Sequence, residues 1–269
     1  VTENLLLAFG LTLIAGLATG IGSILAFFTS STNTKFLSLA LGFSAGVMIY
    51  VSMIEIFVKA EEALVSYAGP GTGNWLTVGG FFGGILIIAL IDKFIPKSGN
   101  PHEVKKVEEV KSVGKKVKDP ELLKMGTFTA LAIAIHNFPE GIATFTSALQ
   151  DPALGIAIAV AIAIHNIPEG IAVSVPVYFA TNDKKKAFTL SFLSGLSEPV
   201  GAVLAYLLLM PFLNDMVFGI IFAAVAGIMV FISLDELLPA AQKYDEAHLS
   251  IYGLIGGMAV MALSLLIMN

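Results

Sequence analysis

The chain has 269 residues, 56% of them hydrophobic and 13% charged, with a formal net charge of −5. That charged share is about half of what a soluble domain spreads over its surface, so a water-soluble globule is excluded. Long apolar runs, rather than short alternating segments, exclude a membrane β-barrel and leave an all-α integral membrane protein. No basic face suits nucleic acid. With no cysteine there is neither a disulfide framework nor a thiolate metal site, and any metal must be held by nitrogen and oxygen donors.

In chain order, eight apolar runs of spanning length are expected, over about 4–28, 35–65, 75–95, 122–150, 152–180, 184–210, 215–241 and 249–268. Residues 1–269 then form a single transmembrane domain. The start, Val1–Asn4, is acidic rather than basic, and no cleavable signal peptide is expected. The segment 96–121 is rich in lysine and glutamate and poor in apolar residues, and reads as a flexible loop. His102 and His248 fall outside the spans and read as solvated, and Asp92 as interfacial.

Lysine sets the orientation, because the chain has no arginine. One side of the expected topology carries Lys35, the run from Lys93 to Lys124, Lys184, Lys185, Lys186 and Lys243, and the other carries only Lys59. The positive-inside rule makes the lysine-rich side cytoplasmic, with both termini outside and the 96–121 loop inside. Glycines recur four apart, at Gly16/Gly20, Gly42/Gly46, Gly79/Gly83, Gly80/Gly84 and Gly253/Gly257, a spacing that lets helices approach closely in lipid. Exposed glycine faces would also suit a homodimer.

The chain repeats itself. AGVMIYVSMIE (Ala45–Glu55, second span) aligns without gaps to AGIMVFISLDE (Ala226–Glu236, seventh span). FFGGILIIAL in the third span matches LIGGMAVMAL in the eighth, and AGLATGIGSILAF (Ala15–Phe27, first span) matches SGLSEPVGAVLAY (Ser194–Tyr206, sixth span). Spans one to three therefore resemble spans six to eight, displaced by an odd number of crossings, so the triplets have opposite topology. Spans four and five resemble each other. The expected bundle is 3+2+3 with inverted repeats, the organisation of secondary transporters whose sites lie near mid-membrane at the repeat interface.

The central pair carries the chemistry. IAIHNFPEGIA (Ile133–Ala143) and IAIHNIPEGIA (Ile162–Ala172) differ only at Phe138/Ile167. In each, His, Asn and Glu lie three and four apart, on one side of a helix. Pro139 and Pro168 are expected to break the ladder and free the carbonyls of Ile135 and Ile164, with Gly141 and Gly170 loosening the helix further. Polar groups are costly in hydrocarbon, which makes the trio functional by default. Two imidazoles, two amides and two carboxylates form a mixed set suited to Zn²⁺ and other first-row divalent ions. Glu198, before Pro199, adds a third carboxylate, and its repeat counterpart is Thr19. Three mid-membrane carboxylates need cations or protons. Glu55, in the outer half of its span, and Asp235 and Glu236, in the inner half of theirs, read as pathway waypoints or as interhelical hydrogen-bonding groups.

These residues resemble the ZIP (Zrt/Irt-like) metal transporter family, in particular its bacterial branch. The resemblance rests on HNFPEG, HNIPEG, SEP and SLDELLPAA, and extends over essentially the whole chain. It implies a transporter of the bacterial inner membrane, with no catalytic cofactor. It implies a binuclear centre, with one site made by His136, Glu140, His165 and Glu169. The adjoining site would use Asn137, Glu140, Asn166, Glu169 and Glu198, with Glu140 and Glu169 bridging. Zn²⁺ would be the main substrate, with breadth toward Fe²⁺, Mn²⁺, Co²⁺ and Cd²⁺. The 3–4 loop holds only His102 where many members carry a histidine-rich tract.

A selective channel using the same ligands is an alternative to a carrier. An intramembrane zinc protease would place its glutamate directly after a histidine, where this chain has asparagine. A retinal-type pump needs a mid-membrane lysine, which no span provides.

Overall fold

A computed structural model describes residues 4–28, 34–94, 120–209, 212, 214–243 and 248–268. The described residues contain helix and short connections and no strand. The helices are α1 (Leu5–Phe28), α2 (Thr34–Val51), α3 (Phe57–Phe94), α4 (Pro120–Gln150), α5 (Pro152–Thr181), α6 (Lys184–Gly195), α7 (Ser197–Leu204), α8 (Asp215–Ile232), α9 (Leu238–Lys243) and α10 (Leu249–Met268). Three π-helical turns, Ser52–Ile56, Ala205–Leu209 and Ser233–Leu237, join α2 to α3, follow α7, and join α8 to α9. The acidic–lysine stretch lies almost wholly outside the described residues, as does His102.

Short side chains end and start the helices. Asp151 caps α5 by accepting from the amides of Ala153 and Leu154, with Pro152 at the first turn. Asn182 closes the same helix in the left-handed region (φ 52°), and Asp183 then caps α6 through the amides of Lys185 and Lys186. Tight turns of this kind make α4 and α5, and α5 and α6, antiparallel neighbours.

Among the described residues, six segments are long and apolar enough to cross a membrane: Leu5–Phe28, Ser38–Lys93, Pro152–Val175, Lys184–Leu208, Asp215–Lys243 and Leu249–Ile267. The second of these, 56 residues long, turns back on itself at Gly69, whose φ of 79° and ψ of 164° are open only to glycine, with Pro70 following. A Cβ on Gly73 would overlap the backbone of Val65 and Leu64, residues that a straight helix would hold about 12 Å away at 1.5 Å per residue. Sequence patterning placed a loop at 66–74. The chain reverses within that stretch, at the single residue Gly69.

Pro139 and Pro168 do not break their helices: α4 and α5 run through them. Each removes one backbone donor without ending the helix. The expected interruption falls elsewhere, at Leu196 between α6 and α7 and at the π-helical turns.

The helices pack as two sets. In one, α1, α4, α5, α6 and α7 are mutual neighbours. In the other, α3 lies along α8, and α10 and α9 lie along α2. Across the boundary α5 meets α2 and α10, and α4 meets α8.

The glycine contacts recur at matching positions of the sequence repeats. Gly46 abuts the carbonyl of Leu254 as Gly227 abuts that of Phe81. Gly257 abuts Phe43 as Gly84 abuts Ala224. Gly22 abuts Ile167 as Gly201 abuts Phe138, and Gly170 meets Thr19 as Gly141 meets Glu198. Gly16 and Gly195, which are themselves counterparts, touch each other. The π-helical turns Ser52–Ile56 and Ser233–Leu237 are counterparts as well. Gly79 and Gly83 depart from their expected role: no atom lies within 4 Å of a Cβ on either, and neighbouring Phe82 and Leu86 are exposed. Their partners on the other face of α3, Gly80 and Gly84, make the helix contact with α8.

Candidate metal centre

Helices α4 and α5 present their HNxPEG motifs to each other at mid-helix, and the glycine that closes each motif lets a further helix approach its glutamate. A Cβ on Gly141 would overlap Glu198 of α7, and one on Gly170 would overlap Thr19 of α1. The small residue therefore serves close packing beside each carboxylate. All seven expected ligands are buried: His136, Asn137, Glu140, His165, Asn166, Glu169 and Glu198 each expose 4% or less.

The side chains cross between helices. His136 Nε2 lies 3.0 Å from Glu169 Oε1, and His165 Nε2 lies 3.3 Å from Glu140 Oε2. Each imidazole thus meets the carboxylate of the other motif. His165 Nε2 is also 3.7 Å from Glu169 Oε1, one turn along its own helix. Although near these carboxylates, His165 Nε2 is not aligned to hydrogen-bond to either, and both Glu140 oxygens lack a hydrogen-bond partner. Asn166 donates its amide to Glu198 Oε1 and, at 2.9 Å, to the carbonyl of Ala15. With its nitrogen turned toward Glu169, Asn137 donates to Glu169 Oε2 at 3.3 Å and to the carbonyl of Ile133 at 3.2 Å.

Ionised carboxylates are expensive to bury, and three of them in one place need positive charge. Imidazole, amide and carboxylate are the donors that borderline first-row divalent ions accept. The contacts are pairwise: among the described residues no group of three His, Asp or Glu closes into a preformed metal-holding arrangement.

The waypoint residues fare differently. Glu236, in the turn Ser233–Leu237, is buried and reaches His136, with its Oε2 3.8 Å from Nδ1. It therefore borders the central cluster. Its neighbour Asp235 is exposed. Glu55, the counterpart of Glu236 on the other repeat, is half-buried in the turn Ser52–Ile56. Sequence reasoning missed the link from Glu236 to His136 and the role of the Ala15 carbonyl. Nothing in the sequence marks either, because both depend on how the helices cross.

The family model described as ZIP zinc transporter matches residues 121–265. A protein named zinc transporter ZupT from Lysinibacillus sphaericus is 74% identical over 265 residues, covering 98% of each chain. Those of the same name from Oceanobacillus iheyensis and Clostridium perfringens are 70% and 64% identical, over 97% or more of either chain. The chain belongs to the ZIP zinc transporter family. Membership makes the chain a transporter, in keeping with its helices long and apolar enough to cross a membrane.

Proposed function

We propose that the chain carries Zn²⁺ into the cytoplasm, and with it Fe²⁺, Mn²⁺, Co²⁺ and Cd²⁺, through a binuclear site at the α4–α5 crossing. The observation that carries this reading is the crossed pairing of His136 with Glu169 and His165 with Glu140 at full burial. One metal position uses His136, Glu140, His165 and Glu169. The second uses Asn137, Asn166 and Glu198 together with Glu140 and Glu169, which bridge. The second position is the harder, more oxygen-rich one and favours Fe²⁺ and Mn²⁺ more than the first. Glu236 follows as a step toward the cytoplasm and Glu55 as a step from outside. The printed names of the relatives, zinc transporters all, support zinc as cargo.

The architecture we infer has eight spans in a 3+2+3 inverted repeat. The fold-back at Gly69 divides one 56-residue segment in two, and α4, 31 residues long, supplies a further crossing. The matched glycine contacts support the inverted pairing. Both termini then lie outside, the 96–121 segment faces the cytoplasm, and the home is the bacterial inner membrane. Alternating access follows if the set holding α1 and α4–α7 moves against the set holding α2, α3 and α8–α10. The exposed Gly79/Gly83 face of α3 suits a homodimer contact.

Uptake by proteoliposomes from a mixture of the five ions, resolved by element and run with and without a pH gradient, tests the proposal. Saturable accumulation led by zinc is expected. Flux that rises linearly with voltage and never saturates indicates a channel instead.

A further inference from the structure

The matched halves of the chain differ in one respect at the centre. On one side, Glu236 is buried against His136, 3.8 Å from its Nδ1. The counterpart of His136 is His165, and the counterpart of Glu236 is Glu55. Glu55 is half-buried, and its nearest charged groups are Lys59, Glu62 and Asp151. His165 Nδ1 is left buried with no hydrogen-bond partner. A buried ring nitrogen without a partner is a cost that this conformation bears on one side only. Both glutamates ride on π-helical turns at equivalent positions, Ser52–Ile56 and Ser233–Leu237. Such turns are where a helix changes register, swinging the side chain they carry.

An inverted-repeat carrier reaches its opposite-facing state when the two repeats exchange conformations. The geometry points to a reciprocal exchange of the carboxylates that meet the two histidines: when the carrier reverses, Glu55 moves onto His165 Nδ1 and Glu236 leaves His136. Each glutamate thus secures its own face while the other is withdrawn. Glu55 is a positioning residue acting through His165, and the two contacts are mutually exclusive within one molecule. This inference rests on the inverted-repeat carrier reading above, and adds which contact replaces which.

The chain has no cysteine, so introduced thiols are its only ones. The full-length protein in liposomes, carrying E55C with H165C or H136C with E236C, is treated with a short bis-methanethiosulfonate, and linked peptides are quantified by mass spectrometry. Both pairs should link, and the four-cysteine chain should never hold both links in one molecule. Adding E236Q to the E55C/H165C chain should raise its yield, and adding E55Q to the H136C/E236C chain should raise that one. Linking of H136C/E236C alone, or both links in one molecule, overturns the exchange.

A second measurement leaves both histidines in place. E55Q and E236Q should each slow ⁶⁵Zn uptake about tenfold, because each tilts the balance between facing states. Parental uptake in E55Q overturns the proposal even where the cysteine chains fail to fold. Absence of uptake by the unmodified chain, with exclusive linking intact, would instead count against the transport reading and leave the exchange standing.

Discussion

At the residue scale, Glu198 is the group that distinguishes the two proposed metal positions. It is fully buried, its Oε1 accepts from Asn166, and its Oε2 has no partner. Its repeat counterpart is Thr19, also buried, so only one half of the molecule contributes a carboxylate at this point. Removing it takes an oxygen ligand from the second position and none from the first. E198A should therefore keep at least about half of the zinc uptake but lower Fe²⁺ and Mn²⁺ uptake by roughly tenfold relative to zinc, the scale of one lost charged ligand contact. Competition uptake with ⁶⁵Zn against each ion measures the ratio. Equal loss of all ions would mean that Glu198 serves both positions or the fold alone.

The seven candidate residues stand out in the sequence because they are polar groups in apolar runs, six of them in a duplicated motif, and all seven are buried in the structure. Their crossed pairing was not legible. Spacing fixes which side chains share a helix face, but not which helix that face meets. Glu236 shows the same limit: its burial against His136 depends on how α8 crosses α4.

Among the elements, glycine decides which helices touch. A Cβ on Gly46 would overlap the carbonyl of Leu254 in α10, whereas one on Gly79 would meet nothing within 4 Å. G46A should destabilise the protein by about 1–3 kcal/mol through overpacking, lowering its Tm in detergent. G79A should be neutral or stabilising by up to about 1 kcal/mol, since alanine is the better helix former and no neighbour is disturbed. Thermal unfolding of the two variants side by side checks both. The four-residue glycine spacing marked both positions equally. Only the packing tells the buried face of α3 from the exposed one. The prolines carried the opposite lesson: Pro139 and Pro168 read as breaks, yet each costs a single hydrogen bond that the long flanking helices absorb. The interruption at Leu196 and the turn Ser233–Leu237 lie just before other prolines, Pro199 and Pro239, whereas the turn Ser52–Ile56 has no proline near it, so proline alone does not tell a break from a continuous helix.

For the whole molecule, composition alone settled a helical membrane protein, since long apolar runs with few charges have no soluble solution. The repeat alignment pairs the halves of the sequence, and the glycine contacts fall at matched positions. The connection expected at 66–74 holds the reversal at Gly69, but its narrowness, with helix on both sides of one glycine, leaves no trace in a hydropathy pattern. The central claim is that the buried crossed pairs of α4 and α5 carry the cargo. It is tested most directly by ⁶⁵Zn uptake into proteoliposomes containing equal amounts of folded parental, E140A or E169A protein. The account predicts uptake by the parental chain and loss of at least about a hundredfold in either variant, since each removes the anion shared by both positions. Parental rates in the two variants would contradict it.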